Sequence, residues 1–304
     1  MARQSLKECV DDYLLDKAAK ETRRAYDRAL RQFLGFMNVA TFEDLKGVDR
    51  GALTRFRNHL RDELGRSPAY TNRQMCALSG FFKWLLSEQE ITANPCEFVR
   101  RYKVEDESRT EGLAETEIQA MVEATKDGTL RGLRDRAILV TLYYEGLRRG
   151  SLARLEMRDL RTHRQVLALR NTKTSDYKEI PLRPETVKAI DDYLTVLSTE
   201  MGIAPGERDP IFVSFSDRSR GKRISPNAVL QIVKARARQA GISRRVVAHS
   251  VRHATATHAL DHGASIEEVA ELLTHADLGS TRRYDRKRKS RSQAAAAALP
   301  HLAL

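Results

Sequence analysis

The chain has 304 residues, with 53 Lys and Arg against 41 Asp and Glu, for a net charge of +12. That length can bury two domain-sized cores, and 41% hydrophobic residues argue against a disordered chain. The cationic surplus favours nucleic acid as a partner, although an anionic membrane face would attract it too. Cys9, Cys76 and Cys96 are odd in number and far apart. They match no zinc-ligand spacing and no disulfide framework, so each is expected as a small apolar residue in a reducing interior, with no metal site. The N-terminus leads straight into charged helix, and no apolar run approaches a membrane span. These features place the chain in the cytoplasm, acting on the cell's own DNA, with no membrane partner.

Residues 1 to about 100 read as helices. Tyr26, Leu30, Phe33, Leu34 and Met37 share one face at helical spacing, with Arg23, Arg24, Arg28 and Arg31 on others. Thr41 with Asp44 forms a capping pattern. Leu53, Phe56 and Leu60 mark a further helix, and Met75, Leu78, Phe82 and Leu85 another that starts near Ser67-Pro68 and ends before Asn94-Pro95. These stripes, and Trp84, read as core. Residues 101–111, RYKVEDESRTE, are charged and nearly free of apolar side chains, which predicts an exposed linker.

Residues 112–304 form the second predicted unit. Helices are expected at Glu115–Ala124 and Leu133–Tyr144. Two β-like runs, Gln165–Leu169 and Lys178–Leu182, flank Asn171–Tyr177 as a hairpin. Helices then return at Pro184–Leu197, Ser225–Ala240, Ser250–His262 and Ser265–Leu273, and the Ala294–Ala298 run favours helix. The fold class is therefore mainly α with a small β-hairpin or sheet in the second domain (α+β).

Five segments of that unit carry residues suited to phosphodiester chemistry: Tyr144–Leu152 with Arg148, the hairpin with Lys173, His249-Ser-Val-Arg252-His253, Leu272-Leu-Thr-His275, and Ser280–Arg286 with Tyr284. Cleaving a phosphodiester without metal needs a nucleophile, cations for the growing negative charge, and an acid for the leaving oxygen. Each residue alone is a weak signal, since a surface Arg or a lone His is usually structural.

Together, Arg148, Lys173, His249-x-x-Arg252, His275 and Tyr284 resemble the tyrosine recombinase family, which includes phage integrases and the Xer recombinases. Gly146-Leu-Arg148 resembles its first arginine box and His249–His258 its second. His275 followed nine residues later by Tyr284 resembles the last two, and the N-terminal helices resemble its core-binding, SAM-like domain. The resemblance implies that the two arginines clamp the scissile phosphate and Lys173 protonates the leaving 5′ oxygen. It further implies that His249 assists proton transfer at the tyrosine, His275 contacts the phosphate, and Tyr284 forms a 3′-phosphotyrosine link. Lys178, in the same hairpin, competes with Lys173 for the role of acid.

The same resemblance implies no cofactor, duplex DNA with inverted-repeat sites as partner, a homotetramer on paired sites, and association with the nucleoid. In the tail, Leu299, Leu302 and Leu304 are expected to dock on a neighbouring subunit. Ser151 stands where the family usually has an acidic residue, three after the arginine. The rival readings are a type IB topoisomerase, which swivels and reseals one strand, and a non-catalytic DNA-binding protein of the same fold.

Overall fold

The computed structural model describes residues 5–104, 112–170, 177–202 and 205–274. Two compact units divide the chain between Asp106 and Glu107.

The first unit is a helical bundle: α1 (Leu6–Leu15), α2 (Lys20–Met37), α3 (Phe42–Lys46), α4 (Arg50–Asn58) and α5 (Pro68–Ser87), with a π-helical turn at His59–Glu63. Side chains stop the helices from fraying. Ser5, Thr41, Asp49 and Ser67 each accept a hydrogen bond from a first-turn amide, and Thr41 with Asp44 completes the capping box. The apolar stripes meet in a core of Leu30, Phe33, Leu53, Phe56, Met75, Leu78, Phe82 and Leu85. Phe33 meets Phe56 and Phe82 edge-on, ring centroids 5.2 and 6.2 Å apart.

One expectation needs correction. Cys9 and Cys96 are buried, but Cys76 lies on the exposed face of α5. The predicted linker begins tied down: Asn72 Nδ2 donates to the Tyr102 carbonyl, and the Tyr102 amide donates back to Asn72 Oδ1. Arg101 Nη2 donates to the Met75 carbonyl. A single amide side chain thus imitates a strand partner, which composition could not reveal.

The second unit contains α6 (Glu115–Glu123), α7 (Leu130–Tyr144), α8 (Arg149–Arg154), α9 (Pro184–Met201), α10 (Pro226–Gln239), α11 (Ala248–Asp261) and α12 (Ile266–Leu272). Its sheet has three antiparallel strands in the order β1 (Leu160–Arg161), β2 (Val166–Arg170), β3 (Tyr177–Pro181). The short β1 escaped the sequence reading because two residues carry no alternation. Leu167 pairs with Ile180 and Leu169 with Lys178, so these four side chains share a face. Leu167 and Ile180 on that face are buried.

Helix α7 is the hub, packing against α9 and α11. A buried charge network braces it. Arg236 on α10 donates from Nε and Nη2 to Asp135 Oδ2 at 3.0 and 2.8 Å. Arg134 holds Asp135 Oδ1 at 3.1 and 2.7 Å, and Arg236 Nη1 reaches the Ala124 carbonyl.

Removing one member of a buried ion network strands the others without water. Asp135→Ala should therefore cost about 3–5 kcal/mol of unfolding free energy, read as a lower urea midpoint at unchanged slope. A loss within experimental error would show that the network braces nothing.

Candidate active site

The site is built where α7 ends. Glu145 caps α7, and Gly146 takes a left-handed φ of 56°, a conformation natural to glycine. A Cβ at Gly146 would also lie 2.5 Å from Leu273 Cδ2. Backbone angle and close packing therefore both demand glycine. The chain then turns through Arg148, whose carbonyl starts α8 by accepting from the amides of Ser151 and Leu152 at 2.8 and 3.0 Å. Arg148 and Arg149 are both exposed.

Helix α11 brings the second pair. It is buried around most of its circumference, with Ala248, Ser250, Val251, Ala254, Thr255 and Ala256 letting it approach its neighbours closely. His249 and Arg252 sit three residues apart near its start, on adjoining surface. Arg252 is only 2% exposed. Its Nη1 donates to the Gly146 carbonyl and its Nη2 to the Leu273 carbonyl. One guanidinium thus bridges the turn before Arg148 and the turn before His275. Thr255 adds a second pin, donating from Oγ1 to the Tyr143 carbonyl at 2.6 Å.

His249 has its pKa lowered, first by desolvation and then by the positive charges of Arg252 and Arg148. Those causes place His249 within the field of both arginines. Both causes disfavour the protonated imidazole, and the neutral ring is the state that can accept a proton.

The end of α12 is the third contributor. Leu273 is fully buried, and Thr274 has φ 52°. A left-handed β-branched residue is rare and costs roughly 1–2 kcal/mol, so its surroundings must hold it. Of the residues expected in the site, Arg148, His249 and Arg252 are brought together. Lys173, His275, Tyr284 and the tail leucines lie outside the described residues. Lys178 Nζ donates to the Glu271 carbonyl at 2.9 Å. Among the described residues no cluster of His, Cys, Asp or Glu could hold a metal ion.

The sequence reading missed Glu145. It is fully buried, accepting from the Arg183 amide at 3.1 Å and from Thr186 Oγ1 at 3.0 Å. It faces the start of α9, so it does not replace the acid missing at Ser151. The Tyr-Glu-Gly-Leu-Arg run showed a carboxylate beside the box but not which way it points. Burial pushes its pKa up to about 8, against the opposing pull of those two hydrogen bonds.

A carboxyl whose pKa rises on folding contributes stability that is complete below the unfolded value of 4.5 and lost as pH climbs through about 8. Urea titrations from pH ~5 to ~9 should show wild-type stability falling relative to Glu145→Gln. A constant difference across that range would mean Glu145 is ionised throughout.

Comparisons with known proteins identify the family. Residues 111–291 match the model of the phage integrase family, and residues 7–89 match that of the phage integrase N-terminal SAM-like domain. The tyrosine recombinase XerC of Pelobacter propionicus is 34% identical over 86% of this chain and 83% of its own length. Among solved structures, the Tn1549 transposon integrase in complex with a circular-intermediate DNA superposes with a TM-score of 0.75 at 16% identity, over 97% of this chain and 99% of that one. A lambda integrase tetramer bound to a Holliday junction gives 0.68 at 19%, over 92% and 77%. The two structures speak for the fold alone. With its catalytic-domain model spanning more than half of the sequence and a relative aligned along most of both lengths, the chain belongs to the phage integrase family of tyrosine recombinases.

Proposed function

We propose that this protein is a site-specific recombinase that cuts and rejoins duplex DNA with Tyr284 as nucleophile. Tyr284 Oη attacks the scissile phosphorus and the P–O5′ bond breaks, leaving a 3′-phosphotyrosine link. The tyrosine proton passes to neutral His249, and Lys173 supplies a proton to the departing 5′ oxygen. A 5′-hydroxyl from the partner strand then attacks the phosphotyrosine and gives its proton to Lys173, while His249 returns its proton to the departing Tyr284 oxygen, so no external energy source is consumed. Arg148, Arg252 and His275 offset the charge that grows on the non-bridging oxygens, as guanidinium groups do where no metal is bound.

One observation carries this reading: Arg252 holds the carbonyls of Gly146 and Leu273 together. Arg148 follows the first carbonyl by two residues, which ties two arginine segments distant in sequence to one turn. The topoisomerase and non-catalytic readings are not favoured, because the aligned relative is a named tyrosine recombinase and the SAM-like domain is present.

A homotetramer on paired inverted repeats is part of the proposal, in line with the lambda integrase tetramer on its junction. So is work on nucleoid DNA in the cytoplasm. Among the described residues no helix is long and apolar enough to cross a membrane.

The site can be found by trapping denaturant-resistant adducts from a nicked random-sequence duplex library. On the selected duplex, Tyr284→Phe should bind as wild type and form no adduct. Arg148→Ala should lose on the order of 10²–10³ in cleavage rate, and its exposed neighbour Arg149→Ala far less. An adduct from Tyr284→Phe, or a larger loss at Arg149 than at Arg148, would contradict the assignment.

A further inference from the structure

We infer that Lys178 and Thr274 form a positioning device that sets the last turn before His275. The inference rests on the proposed recombinase reading, and it concerns how the site is held and not which reaction it runs.

The sheet supplies the first half. On β3, Glu179 is taken by Arg161 and Arg164. Lys178 turns to the opposite face, the one that Ile180 buries and that Leu167 and Leu169 share across the strand pair. Lys178 is itself exposed, and a long lysine at such an edge can extend its ammonium to a nearby acceptor. Here that acceptor is the Glu271 carbonyl, 2.9 Å away. It lies in the last turn of α12, where aligned carbonyls favour a cation.

The turn supplies the second half. The Thr274 amide also donates to the Glu271 carbonyl, at 2.9 Å, while Arg252 takes the carbonyl of Leu273. Two cations from different elements thus grip carbonyls two residues apart, immediately before a threonine in left-handed conformation. A residue held in a disfavoured backbone region relaxes unless its neighbours over-determine it. Thr274 is the residue immediately before His275 in the sequence. Because β3 is the strand returning from the segment with Lys173, the same hydrogen bond fastens the hairpin to α12. In this assignment Lys178 does not touch the phosphate. It acts through Thr274.

The test uses the full-length chain and the duplex selected by adduct trapping. Lys178→Met keeps the stem and removes the charge. It should bind DNA and unfold as wild type but cleave about tenfold more slowly at saturating protein, the size of effect one charge-assisted hydrogen bond provides. Thr274→Gly removes the strain, so in that background adding Lys178→Met should cost about twofold or less, a non-additivity that marks direct coupling.

An equal loss in both backgrounds would overturn the proposal. So would recovery of Lys178→Met on a substrate with sulfur at the 5′ bridging position, since that would make Lys178 itself the acid. Amide exchange gives a reading that needs no DNA: the peptide spanning residues 266–274 should exchange faster in Lys178→Met, and unchanged exchange would also overturn it. If wild type forms no adduct on any library duplex, the recombinase reading fails instead, whatever the exchange shows.

Discussion

The second unit depends on one guanidinium. Arg252, buried on α11, donates to the carbonyls of Gly146 and Leu273, and no other side chain could take its place with the same geometry. A lysine is a point charge that cannot present two N–H groups in a fixed plane. An amide carries its two N–H donors on one nitrogen and cannot spread them over the two nitrogens that a guanidinium uses here. The charge is tolerated there because it is spent on backbone acceptors at both ends of the site. The positions of Arg148 and of the turn before His275 are consequences of that bridge.

Around it, the packing leaves little freedom. Gly146 must be left-handed and must lack a Cβ, because Leu273 occupies that space. Leu273 is in turn fully buried, and the next residue carries backbone strain. Small residues along α11 allow this closeness, and Thr255 secures the helix to the end of α7. Burial first, and then the charges of Arg252 and Arg148, lower the pKa of His249 in this crowded setting. The contacts that pack α11 against the end of α7 are thus also the ones that bring the site's segments together.

Much of this was legible in the sequence, for reasons that can be given residue by residue. Helices α2, α4 and α5 announced themselves because their buried side chains recur at helical spacing, and the capping residues Thr41 and Ser67 marked the starts of α3 and α5. Arg148, His249 and Arg252 were visible because the motif spacing survives in one dimension. Long-range polar contacts were not. Glu145 turning to Arg183 and Thr186, Asn72 pairing with Tyr102, and Lys178 reaching Glu271 join residues 38, 30 and 93 positions apart. Periodicity records burial, and it is silent on which carbonyl a distant side chain will find. Helix α11 shows the same limit from the other side. It is buried nearly all round and so has almost no amphipathic signature, and its motif, not its pattern, revealed it.

The central claim is that the site assembled around Arg252 serves a covalent step at Tyr284. The most direct measurement is to trap the wild-type adduct on its selected duplex, digest the protein and the DNA, and locate the nucleotide by mass spectrometry. The account predicts a nucleotide joined through its 3′ phosphate to the tryptic peptide Tyr284-Asp285-Arg286. A nucleotide on any other residue, or one joined through its 5′ phosphate, would contradict it.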